Sequence, residues 1–246
     1  MRLNIDRRWL TVILLTLVSV ACTTAAGGVA EDVAGARDLA MAAPETVGVS
    51  SARLERLDAG MQRFIEQGRL AGVHTMMARH GKIVHSSIAG AKDIESGALL
   101  TDDAIYRIFS MSKPITGVAM MMLYEEGKWR LNDPVTKFIP EFENLQVYAG
   151  DGQNGEPVLE DANRSITMRE LMTHSSGLAY GLGNGNAVDR MYRETRVLDS
   201  SKTLQQMIDT LATLPLLYQP GERWFYSIAV DVQGYLVEKI SGQPFD

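Results

Sequence analysis

Ser110-Met111-Ser112-Lys113 sets a hydroxyl and an ammonium three residues apart, and Pro114 follows at once. A proline fits a helix only in about its first turn, because it lacks an N–H and its ring crowds the turn before it. The tetrapeptide therefore opens a helix that starts near Ser110. A serine there lies among unpaired N–H groups at the positive end of the helix dipole. Lys113, three positions on, shares its face. That suits a nucleophile activated by a neighbouring base. Elsewhere the same spacing commonly amounts to an N-cap and a solvated lysine, so further partners are needed. One stands in Trp224-Phe225-Tyr226-Ser227. Trp224 and Phe225 read as buried aromatics. The Tyr226 phenol titrates near ~10 in water and lower beside a cation, so next to Lys113 it could take the serine proton.

Other candidates read as structural. His174 is a hydrogen-bonder rather than a triad base, since no G-x-S-x-G elbow accompanies it. His74, His80 and His85 lack the helical spacing of a zinc site. Gly181-Leu182-Gly183-Asn184-Gly185 has no strand before it and no helix after it, which makes it a loop and not a nucleotide cradle. Met120, Met121 and Met122 read as core filling. No metal and no organic cofactor is implied.

The elements that must position these groups follow from periodicity and punctuation. Ser50-Ser51 cap an amphipathic helix with Leu54, Leu57, Met61 and Phe64/Ile65 on one face, closed by Gly68. Two β-leaning runs flank His80-Gly81-Lys82 as an antiparallel hairpin. Residues 91–103 read as a polar loop, and the Ser110 helix runs to Gly127. Residues 131–165 are loop-rich, with turn signals at Asn132-Asp133-Pro134, Asp151-Gly152 and Asn154-Gly155. Short helices are expected over 166–174, 203–217 and 231–242, with a loop over 175–188. Two strands are few for so many helices, because an isolated antiparallel sheet needs three or more.

The 246 residues are 46% hydrophobic and 22% charged with a net charge of −6, ordinary globular values. No basic stripe is present, which argues against nucleic acid as a partner. Arg2, Arg7 and Arg8 precede the 13-residue apolar run 9–21, and Ser19-Val20-Ala21 are small. This is the order of a secretory signal, and the run is short for a membrane span of about 20 residues. Cys22, the only cysteine, stands where the lipobox of bacterial lipoproteins places its acylated residue. The segment resembles that motif, although Ser19 stands where Leu is usual. The resemblance implies a lipid anchor at Cys22 and a periplasmic or membrane-anchored place in the bacterial cell envelope. Cleavage nearby, with Cys22 lost or merely exposed, is the alternative. The expected organisation is a signal peptide over 1–21, a flexible Ala/Gly-rich tether over 22–46, and one domain over 47–246.

Four ordered blocks carry a wider resemblance. FSMSKPITGVAMMMLYEEGKWRLNDPVTKFIPEF (109–142), ITMRELMTHSSGL (166–178), PGERWFYS (220–227) and YLVEKISGQPF (235–245) resemble the serine β-lactamase-related family. That family includes class C β-lactamases, D-alanyl-D-alanine carboxypeptidases, esterases and acyltransferases. The resemblance implies an α+β fold of β-lactamase/transpeptidase type, an antiparallel sheet flanked by helices plus an all-helical region. It implies Ser110 as the nucleophile that forms an acyl-enzyme, Lys113 holding the site positive and relaying the proton, and Tyr226 as general base. The Ser110 backbone N–H would be one oxyanion donor. Esterase or acyl-transfer activity on small esters or amides ranks above carboxypeptidase or β-lactamase activity, because Ile228 stands where class C enzymes carry the Asn of Y-x-N. A non-catalytic envelope lipoprotein on the same scaffold is the rival from another class. The family's late K-T-G or H-x-G strand does not occur in the sequence. The sheet is accordingly expected to be incomplete, and the 1–246 chain to be an inactive fragment. The acyl substrate and the oligomeric state do not follow from these residues.

Overall fold

His80 and Gly81 both sit at positive φ (51° and 70°), which a two-residue turn matched to the twist of its strands requires. They join β2 (Gly72–Arg79) to β3 (Lys82–Asp93) in a hairpin. The computed structural model describes residues 39–153, 155–183 and 185–245. The chain divides into two compact units, the first ending at Tyr106 and the second starting at Arg107.

In the first unit β3 is central. β1 (Ala40–Met41) pairs parallel to it, while β2 and β4 (Ala98–Leu99) pair antiparallel. β1 falls within the stretch 22–46, and β4 replaces part of the polar loop expected over 91–103. The sheet is partial, with two long strands and two of two residues each. α1 (Ser51–Glu66) forms where its periodicity places it and turns Leu54 inward. Gly90, at φ 84°, lies directly against the Ala71 carbonyl and the tip of Ile65. A side chain there would strike backbone, so glycine is required.

The second unit contains α2 (Ser112–Glu125), the hairpin β5 (Gln146–Asp151) and β6 (Pro157–Asp161), α3 (Met168–Met172), α4 (Ala187–Glu194), α5 (Leu204–Leu211) and α6 (Ala229–Ser241). Its core joins Met120 and Leu123 of α2, Met168 and Leu171 of α3, Ile208 and Leu211 of α5, and Val232 and Leu236 of α6. The Trp129 indole is buried among them and donates to the Met120 carbonyl at 2.9 Å. The methionine run divides, with Met120 fully buried but Met121 and Met122 39% and 59% exposed. One helix face takes only every third or fourth residue inward. No helix among the described residues is long and apolar enough to cross a membrane.

Three further expectations are corrected. The loop-rich stretch 131–165 contains β5 and β6, and Gly152 and Gly155 of its turn signals lie between them. The loop over 175–188 ends in a helix, because Asn186 accepts from the Asp189 N–H and caps α4. The 203–217 helix stops at Leu211. Leu216, after Pro215, instead extends beside Val147 and donates its N–H to Gln146.

Arg164 and Glu170 clamp the segment that leads to Tyr226. The Glu170 carboxylate accepts from Arg164 at 2.9 and 2.5 Å and from the Thr167 N–H at 2.9 Å, while Arg164 also donates to the Pro220 carbonyl at 2.8 Å. Burial alone would raise the Glu170 pKa, but Arg164 and Thr167 together outweigh it and hold the carboxyl below its ordinary range. A depressed carboxylate contributes its full stability above the unfolded range near ~4.3, and loses it as pH falls through the folded value. The Arg164 end is half exposed, which lowers the expected effect. Glu170→Gln should cost about 1.5–3 kcal/mol at neutral pH. Urea unfolding across pH checks this: the two stabilities should converge as wild-type Glu170 titrates, and a pH-independent gap would contradict the ion pair as its source.

Candidate active site

Ser110 lies in a 3₁₀ turn, Phe109–Met111, one step before α2. The α-helix thus begins at Ser112, and Pro114 occupies its third position, where a missing N–H leaves no intrahelical bond unmade. Phe109 has φ 45°, an uncommon conformation for a bulky residue that tends to mark functional turns. The Ser110 side chain is exposed.

Tyr226 arrives from a distant part of the chain along a backbone ladder between two strips. The N–H groups of Leu217, Gly221, Phe225 and Ile228 donate to the carbonyls of Gly177, Ser175, His174 and Ala179 at 2.7, 2.8, 2.8 and 3.0 Å. Gly177, at φ 85°, packs directly against the Tyr218 carbonyl, so no larger residue fits this crossing. The Tyr226 and Ser110 hydroxyls are 2.9 Å apart, and Lys113 Nζ donates to Ser110 Oγ at 3.2 Å. The structure therefore brings together Ser110, Lys113 and Tyr226. Cys22 lies outside the described residues.

Lys113 Nζ also stands 4.9 Å from the Tyr226 ring centroid and 5.7 Å from that of Tyr180, and the two rings are 5.4 Å apart. Sequence reasoning missed Tyr180. Its only signal was a place two residues after the Ser175-Ser176-Gly177-Leu178 run. Asp231, in the first turn of α6, adds a negative field felt by Lys113 and by both tyrosines.

The charges favour a phenol that gives up its proton. Lys113, followed by the Ser110 hydroxyl, lowers the Tyr226 pKa below its ordinary range. Burial would lower the Lys113 pKa, but Tyr226, Tyr180 and Asp231 outweigh it, and the ammonium is held above its ordinary range. A cation that stays charged beside a phenol that ionises more easily can draw a proton from a serine.

One expected side-chain placement differs. Trp224 is 66% exposed instead of buried, whereas Phe225 packs edge-on to Tyr218 at 5.7 Å. Ile228 is fully buried in the core. It does not offer substrate an apolar contact, although no amide side chain stands at that position either. His174 makes the expected structural bonds, with Nδ1 facing Ser227.

A family model described as Beta-lactamase matches residues 57–246. The Mycobacterium tuberculosis protein Rv1367c is 36% identical over 194 residues, covering 78% of this chain and 47% of that protein. Esterase EstB of Burkholderia gladioli is 36% identical over 191 residues, covering 77% of this chain and 46% of the esterase. The solved structure of EstCE1, a hydrolase with promiscuous acyltransferase activity, superposes with a TM-score of 0.65 at 30% identity, over 78% of this chain and 48% of that one. The chain spans about half the length of the curated relatives it matches. Across the matched residues 57–246 the chain belongs to the beta-lactamase family, with the α+β, β-lactamase/transpeptidase-like fold.

Proposed function

We propose that the protein is an exported serine hydrolase that cleaves or transfers the acyl group of small carboxylic esters through a Ser110 acyl-enzyme. The observation that carries this is the contact of Ser110 Oγ with both the Tyr226 hydroxyl (2.9 Å) and Lys113 Nζ (3.2 Å). Tyr226, ionised beside the Lys113 ammonium, accepts the Ser110 proton as Oγ attacks the carbonyl carbon. The Ser110 N–H donates to the developing oxyanion. The C–O bond to the alcohol then breaks, and the alcohol leaves with the proton held by Tyr226. Water, or a second alcohol in the transfer reaction, attacks the acyl-serine by the reverse route, which releases acid or a new ester and restores Ser110.

Esters rank first because one relative bears the name esterase and another is a hydrolase with acyltransferase activity. The position of Ile228 also offers no amide to hold a β-lactam or peptide side chain. A substrate amide that loses one such hydrogen bond gives up about 1–3 kcal/mol. The ratio of kcat/KM for p-nitrophenyl butyrate to that for a chromogenic cephalosporin should therefore favour the ester by about 10-fold or more in the full-length protein. A cephalosporin preference would reverse the ranking. A serine-reactive phosphonate should label Ser110, and an unlabelled Ser110 in folded protein would point to the non-catalytic reading. Export and Cys22 lipidation are part of the proposal and rest on residues 1–22 of the sequence alone.

A further inference from the structure

We propose that His174 is the positioning residue for Tyr226, gripping the residue on either side of it and backing its ring. The proposal deepens the reading of Ser110 and Tyr226 given above and rests on it.

The His174 carbonyl accepts the Phe225 N–H at 2.8 Å, and its Nδ1 receives the Ser227 N–H at 3.2 Å and faces Ser227 Oγ at 3.1 Å. One residue thus holds both chain neighbours of Tyr226. An N–H can only donate, so Nδ1 is the acceptor and the imidazole proton belongs on Nε2. Ser227 is fully buried, which keeps bulk water from the bond. The imidazole stacks on the Tyr226 ring, with centroids 5.1 Å apart and planes 28° from parallel, and Trp224 meets the imidazole edge-on at 6.2 Å while lying 6.4 Å from the Tyr226 ring.

The backbone of His174 is specialised for this grip. Its φ of 55° is a left-handed conformation that His and Asn adopt more readily than most residues. With Nδ1 engaged by Ser227, the imidazole is not the base for Ser110. A protonated ring would carry an N–H on Nδ1 against the Ser227 N–H. Burial and then the Lys113 charge oppose that form. The titratable groups around the cluster are Lys113 of α2, Tyr180 and Tyr226 on the flanking strips, and Asp231 of α6.

The test compares His174→Asn with His174→Gln in the full-length protein. The Asn oxygen can stand where Nδ1 stands, and Asn tolerates the left-handed backbone. The Gln oxygen reaches only to the place of Nε2. Both are neutral amides, so they differ mainly in where the acceptor sits. His174→Asn should keep kcat on p-nitrophenyl butyrate within about 3-fold of wild type. His174→Gln should lose about 10- to 100-fold in kcat at little-changed KM, as a misplaced reacting group does. In His174→Gln the spectrophotometric titration of the Tyr226 phenol, assigned by subtracting Tyr226→Phe, should move back toward the ordinary tyrosine range. In His174→Asn it should stay at the wild-type position. Equal kcat and equal Tyr226 titration in the two variants, whether both high or both low, overturns the proposal. If wild type shows neither phosphonate labelling of Ser110 nor turnover, the hydrolase reading fails, while the Tyr226 titration in the two variants still decides the role of His174.

Discussion

Ser110→Ala should abolish ester turnover in the full-length protein, with a fall in kcat of about 10⁴- to 10⁶-fold, the scale seen when a covalent nucleophile is removed. Ser110 Oγ is the shared partner of Tyr226 and Lys113. Its loss removes the atom that forms the acyl bond and leaves the base and the cation with nothing to act on. Ser112, the nearest other hydroxyl in the motif, has no such contact with Tyr226 among the described residues. The serine is exposed in its turn, so the substitution should leave stability within about 0.5 kcal/mol. Steady-state kinetics beside thermal melting and phosphonate labelling checks this. A folded variant that still turns over ester by more than a hundredth of wild type would show that the acyl group is carried elsewhere.

Lys113→Ala and Tyr226→Phe should each lower kcat by about 10²- to 10⁴-fold, the range of a positioned acid–base group, and the double variant should be little worse than either alone. The two act on one proton. Once the phenol is gone the ammonium has no phenolate to stabilise, and once the ammonium is gone the phenol is too weak an acid to ionise. Multiplicative losses would mean that they act separately. The pH profile gives a second measurement. Wild-type activity should rise as pH climbs through the lowered Tyr226 titration and fall as Lys113 loses its proton above the ordinary lysine range. In Lys113→Ala the rising limb should move to higher pH, because the main cause of the Tyr226 shift has been removed.

The elements that showed in the sequence are those whose own residues dictate them. The α1 stripe, the His80-Gly81 turn and the α6 stripe carry local instructions, and each formed within about two residues of its expected ends. β5 and β6 were missed because the Asp151-Gly152 and Asn154-Gly155 signals read as loop, while the strands beside them alternate too weakly to be told from it. The end of α5 depends on Leu216 finding Val147, a distant partner that periodicity cannot reveal. The site shows the same division. Ser110 and Lys113 were legible from spacing and Pro114. Tyr226 was legible as a candidate, but its meeting with Ser110, 116 residues earlier in the chain, depends on the ladder between 174–179 and 217–228. The two-sided grip of His174 belongs to that ladder, Tyr180 follows directly after it, and neither has a local signature.

Because that ladder is made of main-chain groups, it is indifferent to most of the side chains it carries. Gly177 is bound by its close approach to Tyr218, but substitutions at outward-facing positions of either strip leave the rungs intact. The segment can therefore change its surface while Tyr226 keeps its address beside Ser110. This separation of placement from surface chemistry leaves the outward residues of the two strips free to change, over evolutionary time or in the laboratory, without moving the site.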